Sequence, residues 1–296
     1  MSDPRLRQKL DTGEFIAAPG IQDMITALVA NDLEVEVVYG SGYWLTASTY
    51  GLPDAGLATY TEMLDCMSRL AEVSNAAVIA DADTGYGDLL NVERTIRGYE
   101  AAGISGIQLE DQEIPKKCSH SMQIRCIPMS QMAKKIEVAC ESRRDKKNTL
   151  IIARTDARRI ETFSQTLKRA ESYAKAGADI LFIESYQSET EMTKACKELD
   201  LPLMANMNDG GNAPLFSAEE LSQMGFRIGI WPSLLPLAAI HTLRNALSTF
   251  LKTGDSKNSD IRLASFSEFS DLIGFDKIRE FNRRWGENPI ISESLD

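Results

Sequence analysis

The sequence predicts an α/β fold in which strands and helices alternate and the parallel strands close into a barrel. Two observations point to this class. Eight short apolar, β-branched runs alternate along the chain with longer amphipathic segments of helical periodicity. The length of 296 residues suits one barrel of about 250 residues with additional helices. We therefore predict a (β/α)8 TIM-type barrel, and an open doubly wound sheet is the alternative with the same alternation.

The predicted strands are the short apolar runs, at residues 15–19, 35–40, 76–83, 106–110, 150–154, 180–184, 203–206 and 227–231. Helical periodicity between them marks residues 60–73, 92–102, 129–143, 162–176, 189–199 and 218–224. Two stretches of similar sequence, 99–110 and 173–184, each join a helix to a strand through a glycine, Gly103 or Gly177. Glycine just past a helix end suits a left-handed cap, so both stretches support repeated β/α units.

The C-terminal part of the chain supplies more helix than one barrel needs. Residues 234–251 form a long apolar pattern, and 265–285 predict one or two further helices. We expect residues 1–296 to form a single barrel domain, with the barrel at about 15–250 and a helical extension at about 251–296.

Composition narrows the class of protein. A net charge of −11 argues against nucleic acid or an anionic membrane as the main partner. No apolar run approaches the roughly 20 residues of a membrane helix, and the polar N-terminus lacks the apolar core of a secretory signal. Five cysteines without a Cys-x-x-Cys pair suit reduced thiols, and two histidines make a histidine-rich metal site a poor expectation. We expect a cytoplasmic protein.

Acidic residues gather where the predicted strands end, which is where barrel enzymes carry their active sites. Asp81 and Asp83 close the third strand, Glu110 and Asp111 follow the fourth, and Asp54 lies in the loop after the second. Carboxylates held this close resist joint ionisation unless a cation lies between them. Hard oxygen ligands of this kind suit Mg²⁺. A helix N-cap followed by a glycine turn is the structural alternative for Asp81–Asp83.

A polar loop after the fourth strand carries lysines, a cysteine and a histidine. Cationic neighbours such as Lys116 and Lys117 favour the thiolate of Cys118, which can then act in proton transfer or as a nucleophile. A small buried apolar role is the alternative for a free cysteine, and it fits the cysteines on helical patterns.

Polar residues also end three other strands. Arg154 directly follows an apolar run, and its guanidinium suits a carboxylate, either of a substrate or of Glu184. Glu184 and Asn206 end the next two strands along the chain and are possible partners of the arginine, and a structural ion pair is the alternative for it. The small residues Ser41 and Gly42 let backbone N–H groups approach a substrate oxygen, although a plain turn explains them equally well.

Taken in order, these segments resemble the isocitrate lyase/phosphoenolpyruvate mutase superfamily over residues 15–231. The matching pieces are Ser41-Gly42, Asp54, Asp81-x-Asp83-Thr-Gly-Tyr-Gly87, Leu109-Glu-Asp-Gln112, Lys116-Lys-Cys-Ser-His120, Ala153-Arg-Thr-Asp-Ala157, Glu184 and Asn206. The cysteine is typical of the carbon–carbon lyase branch, which includes 2-methylisocitrate lyases, 2,3-dimethylmalate lyases and petal-death-type proteins. The same signature occurs in oxaloacetate hydrolases, whereas the phosphonate mutase branch lacks it.

The resemblance implies a Mg²⁺ site, with Mn²⁺ as a substitute, in which Asp81 binds the metal and Asp54, Asp83 and Glu110 act mainly through water. It implies a mobile gate around 116–120 and homotetramers that exchange their C-terminal helices. It also implies residue roles in cleaving a small 2-hydroxy di- or tricarboxylate to a 2-oxo acid such as pyruvate. The implied catalytic residues are Tyr39, Lys116, Cys118 and Arg154, and the substrate-binding residues are Ser41, Gly42, Ser119, His120, Arg154, Glu184 and Asn206.

Three departures from the family pattern bear on the substrate. Ser119 replaces the usual glycine of the cysteine signature, and Tyr43 stands where methylisocitrate lyases have a small residue. Asn208 and Asp209 precede a Gly-Gly pair that resembles the dimethylmalate-lyase and petal-death branch. Three alternatives are an oxaloacetate decarboxylase or hydrolase, a phosphonopyruvate enzyme, which Cys118 disfavours, and a non-enzymatic scaffold, which the intact carboxylate set disfavours.

Overall fold

The structure is a computed structural model that describes residues 1–117, 124–209, 214–256 and 262–286. The chain divides into two compact units, Met1–Ala238 and Ala239–Asp296, each of which is described by itself. The expectation of one domain over 1–296 stays a prediction.

The first unit is built on a closed barrel of eight parallel strands in sequential order, with β8 pairing back to β1. The strands are β1 (Ile16–Ile21), β2 (Val37–Gly40), β3 (Ala77–Asp81), β4 (Gly106–Glu110), β5 (Leu150–Thr155), β6 (Ile180–Ile183), β7 (Leu203–Asn206) and β8 (Ile228–Trp231). All eight predicted strands are present, with ends shifted by at most a few residues. The predicted (β/α)8 barrel is confirmed, and the open sheet is excluded.

Helices alternate with the strands along the chain, and further helices follow the last strand in the sequence. They are α1 (Arg5–Thr12), α2 (Met24–Asp32), α3 (Gly42–Tyr50), α4 (Tyr60–Val73), α5 (Leu89–Ala101), α6 (Met129–Ser142), α7 (Phe163–Lys175), α8 (Glu189–Glu198), α9 (Ala218–Met224), α10 (Leu234–Thr253), α11 (Phe266–Leu272) and α12 (Phe275–Trp285). Gly103 and Gly177 both have positive φ, at 91° and 103°, as predicted for left-handed caps. Among the described residues, no helix is long and apolar enough to cross a membrane.

Strand alternation separates two apolar layers and so determines which side chains reach the mouth of the barrel. In β3, Ala77 and Ile79 belong to the inner cluster, whereas Val78 and Ala80 pack outward against the helices. Continuing the inward series by two residues brings Asp81 to the carboxyl end. The same alternation applies to β4. Its Ile107 and Leu109 pack outward, so Gln108 and Glu110 point inward. The carboxylates of Asp81 and Glu110 therefore continue the series of inward-facing core residues in their strands.

The amino end of the barrel is closed by the N-terminal helix α1, which the sequence pattern did not predict. Its Leu6 is 0% exposed and belongs to the cluster inside the barrel. Ser2 is tied to the same end, since its hydroxyl donates to the carbonyl of Ile104 at 2.8 Å. Water is thus excluded from the end opposite to the acidic residues.

The second unit contains most of α10 together with α11 and α12, and it exposes many large apolar side chains. Phe266, Phe281 and Trp285 are each more than half exposed. The segment predicted as one or two helices forms two. The exchange of these helices between subunits stays a prediction.

Candidate active site

A cavity of about 280 Å³ opens at the carboxyl end of the barrel, where the acidic strand ends meet. Its lining combines carboxylates, cationic side chains and one apolar wall. The lining residues are Tyr39, Ser41, Tyr43, Trp44, Asp54, Asp81, Glu110, Gln112, Lys116, Lys117, Arg154, Asn206, Asn208, Asp209, Ile230, Pro232, Ser233 and Leu237. Most of the residues singled out in the sequence therefore come together at one place.

Asp81, the last residue of β3, is held in a defined orientation. Its Oδ1 accepts the N–H of Asp83 at 3.0 Å and the side-chain amide of Gln108 at 3.3 Å. Gly42 lies against the other oxygen: a Cβ added there would be 2.9 Å from Oδ2 of Asp81. Because the two hydrogen bonds fix Oδ1, Oδ2 is the oxygen available to a ligand. Gly42 is thus the residue that keeps space open beside it.

Lys116 lies between two of the carboxylates and is itself buried, with 5% exposure. Its ammonium is 3.0 Å from Oδ1 of Asp54 and also pairs with Oδ1 of Asp83. Burial lowers the pKa of Lys116, but the surrounding carboxylates, Asp83 and Glu110 foremost, outweigh it and raise the pKa well above its usual value. Lys116 therefore stays protonated and acts as a fixed positive charge.

Burial and crowding among the carboxylates oppose their joint ionisation. Burial raises the pKa of Asp83 to about 7; Asp81 and Asp54 add to the increase, and Lys116 opposes it. Burial likewise raises the pKa of Glu110 well above its usual range, against the fields of Arg154 and Lys116. The site therefore favours either protons or a cation among its carboxylates.

Arg154 enters the cavity from the end of β5 and is surrounded by acids. Asp156 binds its guanidinium at two points, Nε to Oδ2 at 3.1 Å and Nη2 to Oδ1 at 2.8 Å. Oxygens of Glu110 and Glu184 lie 3.4 and 3.7 Å away. Asp156 is thus the main ion-pair partner, and Glu184, proposed from the sequence, is a more distant one. The side chain of Arg154 stays 11% exposed toward the cavity.

Tyr39 is connected to Asp81 by hydrogen bonds through the side chain of Gln108. Its hydroxyl donates to Oε1 of Gln108 at 3.1 Å, and the amide nitrogen of Gln108 donates to Asp81. Burial raises the pKa of Tyr39 well above its usual value, and Asp81 adds to the shift, whereas Arg154 and Lys116 oppose it. Tyr39 therefore favours its phenol form, and a role as a base depends on added positive charge nearby.

The remaining predicted positions line two sides of the cavity. Ser41 precedes α3, which begins at Gly42, so the free N–H groups of the first turn of the helix lie at the cavity edge. On the other side, the amide nitrogen of Asn206 donates to Glu184 at 3.0 Å. Both settings suit the binding of a negatively charged oxygen.

Cys118, Ser119 and His120 lie outside the described residues, as do Gly210 and Gly211 of the Gly-Gly pair. Of the departures from the family pattern, Tyr43, Asn208 and Asp209 line the cavity. Asn208 accepts a hydrogen bond from Ser233, whose oxygen also accepts from the indole N–H of Trp44 at 3.3 Å.

Three observations fit a hard divalent cation at this site. The donors are oxygens, Oε1 of Glu110 is buried without a hydrogen-bond partner among the described residues, and Gly42 leaves room beside Asp81. Within the described ranges, no three acidic, histidine or cysteine side chains converge to ligate one ion together. The oxygen donors and the space beside Asp81 suit Mg²⁺, which keeps several waters and binds directly to one or two carboxylates.

Several residues that line the cavity or contact its lining had not been singled out from the sequence. Gln108 had a usable signal, because it is a polar residue in an apolar strand, two positions before Glu110 and hence on the same face. Trp44 and Ser233 had none, since a single aromatic or serine after a strand is common in any loop. Asp156 belongs to the Ala153–Ala157 motif, but the sequence does not reveal its pairing with Arg154.

Comparisons with known proteins agree with this geometry. The family model described as phosphoenolpyruvate phosphomutase matches residues 6–251. The 2,3-dimethylmalate lyase of Eubacterium barkeri is 40% identical over 285 residues, covering 95% of this chain and 97% of that protein. The 2-methylisocitrate lyase of Aeropyrum pernix is 38% identical over 290 residues, covering 98% and 92%.

Solved structures give the same result. A 2,3-dimethylmalate lyase superposes with a TM-score of 0.92 at 28% identity, covering 100% of this chain and 99% of that one. Oxaloacetate acetylhydrolase in complex with 3,3-difluorooxalacetate gives 0.90 at 29% identity, covering 96% of each. Phosphonopyruvate hydrolase in complex with oxalate and Mg²⁺ gives 0.85 at 27% identity, covering 96% and 99%. The chain therefore belongs to the phosphoenolpyruvate mutase family, within the phosphoenolpyruvate mutase/isocitrate lyase superfamily.

Proposed function

We propose that this protein is a divalent-metal-dependent carbon–carbon lyase that cleaves a small 2-hydroxy di- or tricarboxylate to a 2-oxo acid, such as pyruvate, and a second carboxylate. The observation that carries the proposal is that Asp81, with an oxygen available to a ligand, and Arg154, with its guanidinium, line the same cavity. Such a cavity offers one end for a metal-bound hydroxy acid and another for a carboxylate. The relatives named as 2,3-dimethylmalate and 2-methylisocitrate lyases support the same chemistry.

The proposed cofactor is Mg²⁺, with Mn²⁺ as a substitute, bound directly by Asp81 and through water by Asp54, Asp83 and Glu110. When bound, it would hold the carboxylate and 2-hydroxyl of the substrate and acidify that hydroxyl. The Mg²⁺ in the phosphonopyruvate hydrolase complex supports this assignment. Lys116 pairs with Asp54 and Asp83 and so offsets part of the negative charge of this acidic cluster.

The residues around the substrate have separate proposed roles in binding and proton transfer. Ser41 and the N–H groups after Gly42 bind the 2-oxo-acid part. Tyr39 is the candidate base: as a phenolate, which the positive charges of Arg154 and Lys116 favour, it would accept the 2-hydroxyl proton. Breaking the central C–C bond leaves the 2-oxo acid and a carboxylate enediolate, which Cys118 protonates. Arg154, Glu184 and Asn206 orient the second carboxylate, together with Ser119 and His120 of the gate.

A second candidate is hydrolysis or decarboxylation of oxaloacetate at the same site. The similarity to oxaloacetate acetylhydrolase favours it, because that structure holds a difluorinated oxaloacetate analogue. Both candidates use a small carboxylic acid and the same cation, so they differ in substrate rather than in machinery.

Two properties of the whole protein form part of the proposal. The exposed apolar side chains of α11 and α12 support a homotetramer in which C-terminal helices are exchanged, because such faces need cover. The described cysteines are all free, which supports a reducing compartment such as the cytoplasm.

The proposal is tested with purified enzyme and a panel of 2-alkylmalates, 2,3-dimethylmalate, 2-methylisocitrate and oxaloacetate. Pyruvate release from a 2-hydroxy acid, coupled to NADH oxidation, reports the lyase reaction. With oxaloacetate as substrate, oxalate and acetate, resolved by chromatography, report hydrolysis, and pyruvate reports decarboxylation. We expect Mg²⁺-dependent pyruvate release from at least one 2-hydroxy acid, and none from protein treated with EDTA. Turnover of oxaloacetate alone would favour the second candidate, and the absence of any turnover would refute both.

A further inference from the structure

Asp111 occupies a buried position next to the cavity without lining it. It follows the last residue of β4 and is 0% exposed. Strand alternation turns its neighbours Glu110 and Gln112 toward the cavity, which both line, and turns Asp111 outward to the layer of α7. Any influence of Asp111 on the substrate must therefore pass through other residues.

The carboxylate of Asp111 contacts the end of β5, the residue after it and the helix α7. Its Oδ1 accepts the backbone N–H of Asp156 at 3.0 Å. Its Oδ2 accepts the hydroxyls of Thr155 at 2.7 Å and Tyr173 at 2.8 Å, and the guanidinium of Arg169 lies 3.5 Å away. Two of these contacts bind the chain directly after Arg154, whereas the contacts with α7 anchor Asp111 itself.

The contacts with β5 determine the shape of the turn that carries Asp156. The hydroxyl of Thr155 donates to Asp111 and accepts the N–H of Ala157 at 3.2 Å, so its hydrogen-bonding direction is set. Asp156, 0% exposed, then presents its carboxylate to the guanidinium of Arg154 through two parallel hydrogen bonds. A continuous series of short contacts thus leads from Asp111 to the arginine in the cavity.

We propose that Asp111 is a positioning residue for Arg154, acting through Thr155 and Asp156 to hold the guanidinium where it binds a substrate carboxylate. This inference rests on the proposed function, which assigns that role to Arg154. Bidentate recognition of a carboxylate depends on the plane of the guanidinium, and a misplacement of about 1 Å costs on the order of 100-fold in rate.

The opposite end of the barrel provides a matched control in Glu100. This carboxylate is also buried, with 8% exposure, and it organises a turn: it accepts the N–H groups of Arg144 at 2.8 Å and Asp145 at 2.7 Å, and the hydroxyl of Thr149 at 3.3 Å. Glu100 and Asp111 therefore do similar structural work, but only Asp111 leads to the cavity.

The experiment compares Asp111→Asn with Glu100→Gln, with kinetics measured well below each melting temperature. Asn keeps the shape and the bond to the Asp156 N–H, but it places an amide opposite the Thr155 hydroxyl. We expect kcat/KM of Asp111→Asn to fall by about 10- to 100-fold, mostly through KM, and that of Glu100→Gln to stay within about twofold. In an Arg154→Lys background, Asp111→Asn should lower kcat/KM by a further factor of less than about three. The reason is that the guanidinium positioned by Asp111 is absent from that background.

Equal losses in both variants, or the same further loss in the Arg154→Lys background, would show a merely structural role and overturn the inference. If Asp111→Asn does not fold, Thr155→Val removes the two hydrogen bonds of that hydroxyl, to Asp111 and from the N–H of Ala157, while keeping the side-chain shape. An unchanged KM in that variant would also overturn the inference. Should the wild type turn over no acid, the proposed function fails separately. A crystal structure of Asp111→Asn or Thr155→Val then decides the inference: a displaced Arg154–Asp156 pair supports it, and an unchanged pair refutes it.

Discussion

Replacement of Gly42 by alanine should reduce activity without reducing stability. Gly42 is the first residue of α3, and its φ lies outside the left-handed region, so alanine can adopt the backbone conformation. Alanine is also the better helix former, by roughly 0.5–1 kcal/mol in a helix interior. The change therefore acts through the added Cβ alone.

The size of the effect follows from the space beside Asp81. The added Cβ would be 2.9 Å from Oδ2 of Asp81, about 0.5 Å inside the 3.4 Å limit of ordinary van der Waals contact. The carboxylate cannot simply rotate away, because Asp83 and Gln108 hold its other oxygen. Since a misplacement of about 1 Å costs on the order of 100-fold in rate, a shift of half that size should cost about tenfold in kcat/KM.

The assay is turnover as a function of Mg²⁺ concentration, with thermal unfolding measured on the same samples. Gly51→Ala is the control, since Gly51 ends the same helix at φ 65° with nothing within 4 Å. That variant should lose about 1–2 kcal/mol of stability, the cost of a left-handed alanine, and keep its activity. The reasoning is wrong if Gly42→Ala shows wild-type kcat/KM and an unchanged Mg²⁺ requirement.

Three further changes test the other parts of the site. Asp81→Ala should fold but lose turnover at every Mg²⁺ concentration, and activity restored by excess Mg²⁺ would argue against direct metal binding. Lys116→Met should cost about 3–5 kcal/mol in urea unfolding, because it leaves two buried carboxylates unpaired; wild-type stability would show that the pair is not needed. Burial raises the pKa of the Cys140 thiol to about 11 and that of Cys196 to about 12, so both are protonated at pH 8. Iodoacetamide at pH 8 should therefore label Cys118 first, Cys118→Ser should lose about 100- to 10,000-fold in turnover, and label spread evenly over the cysteines would contradict a reactive gate thiol.

Periodicity in the sequence was enough to predict the barrel strand by strand. Each strand is a short apolar run bounded by polar residues, and glycines such as Gly103 and Gly177 mark where helices end. The helices α1, α2 and α3 were not predicted from periodicity, for a physical reason. They are short, and α3 combines glycine, threonine and aromatic residues, which have weak helix propensity; such helices form because they pack on the barrel.

The sequence could indicate the acidic strand ends, but not how their charges are distributed. It placed Asp54, Asp81, Asp83 and Glu110 at one end of the barrel, since carboxyl ends of parallel strands meet there. That Lys116 lies between Asp54 and Asp83 depends on how a loop folds back over the barrel mouth. Loop paths are not determined by local periodicity, so this pairing was not foreseeable.

Sequence by itself determined the class of fold, the family and the chemical character of the cavity, because strand alternation carries the inward series from core to mouth in each strand. Tertiary structure decided which groups touch. It paired Arg154 with Asp156 rather than chiefly with Glu184, joined Tyr39 to Asp81 through Gln108, and placed Gly42 against the free oxygen of Asp81. The physical reason is distance: local patterns specify the direction of a side chain, whereas a contact between residues far apart in the chain exists only after the barrel has closed.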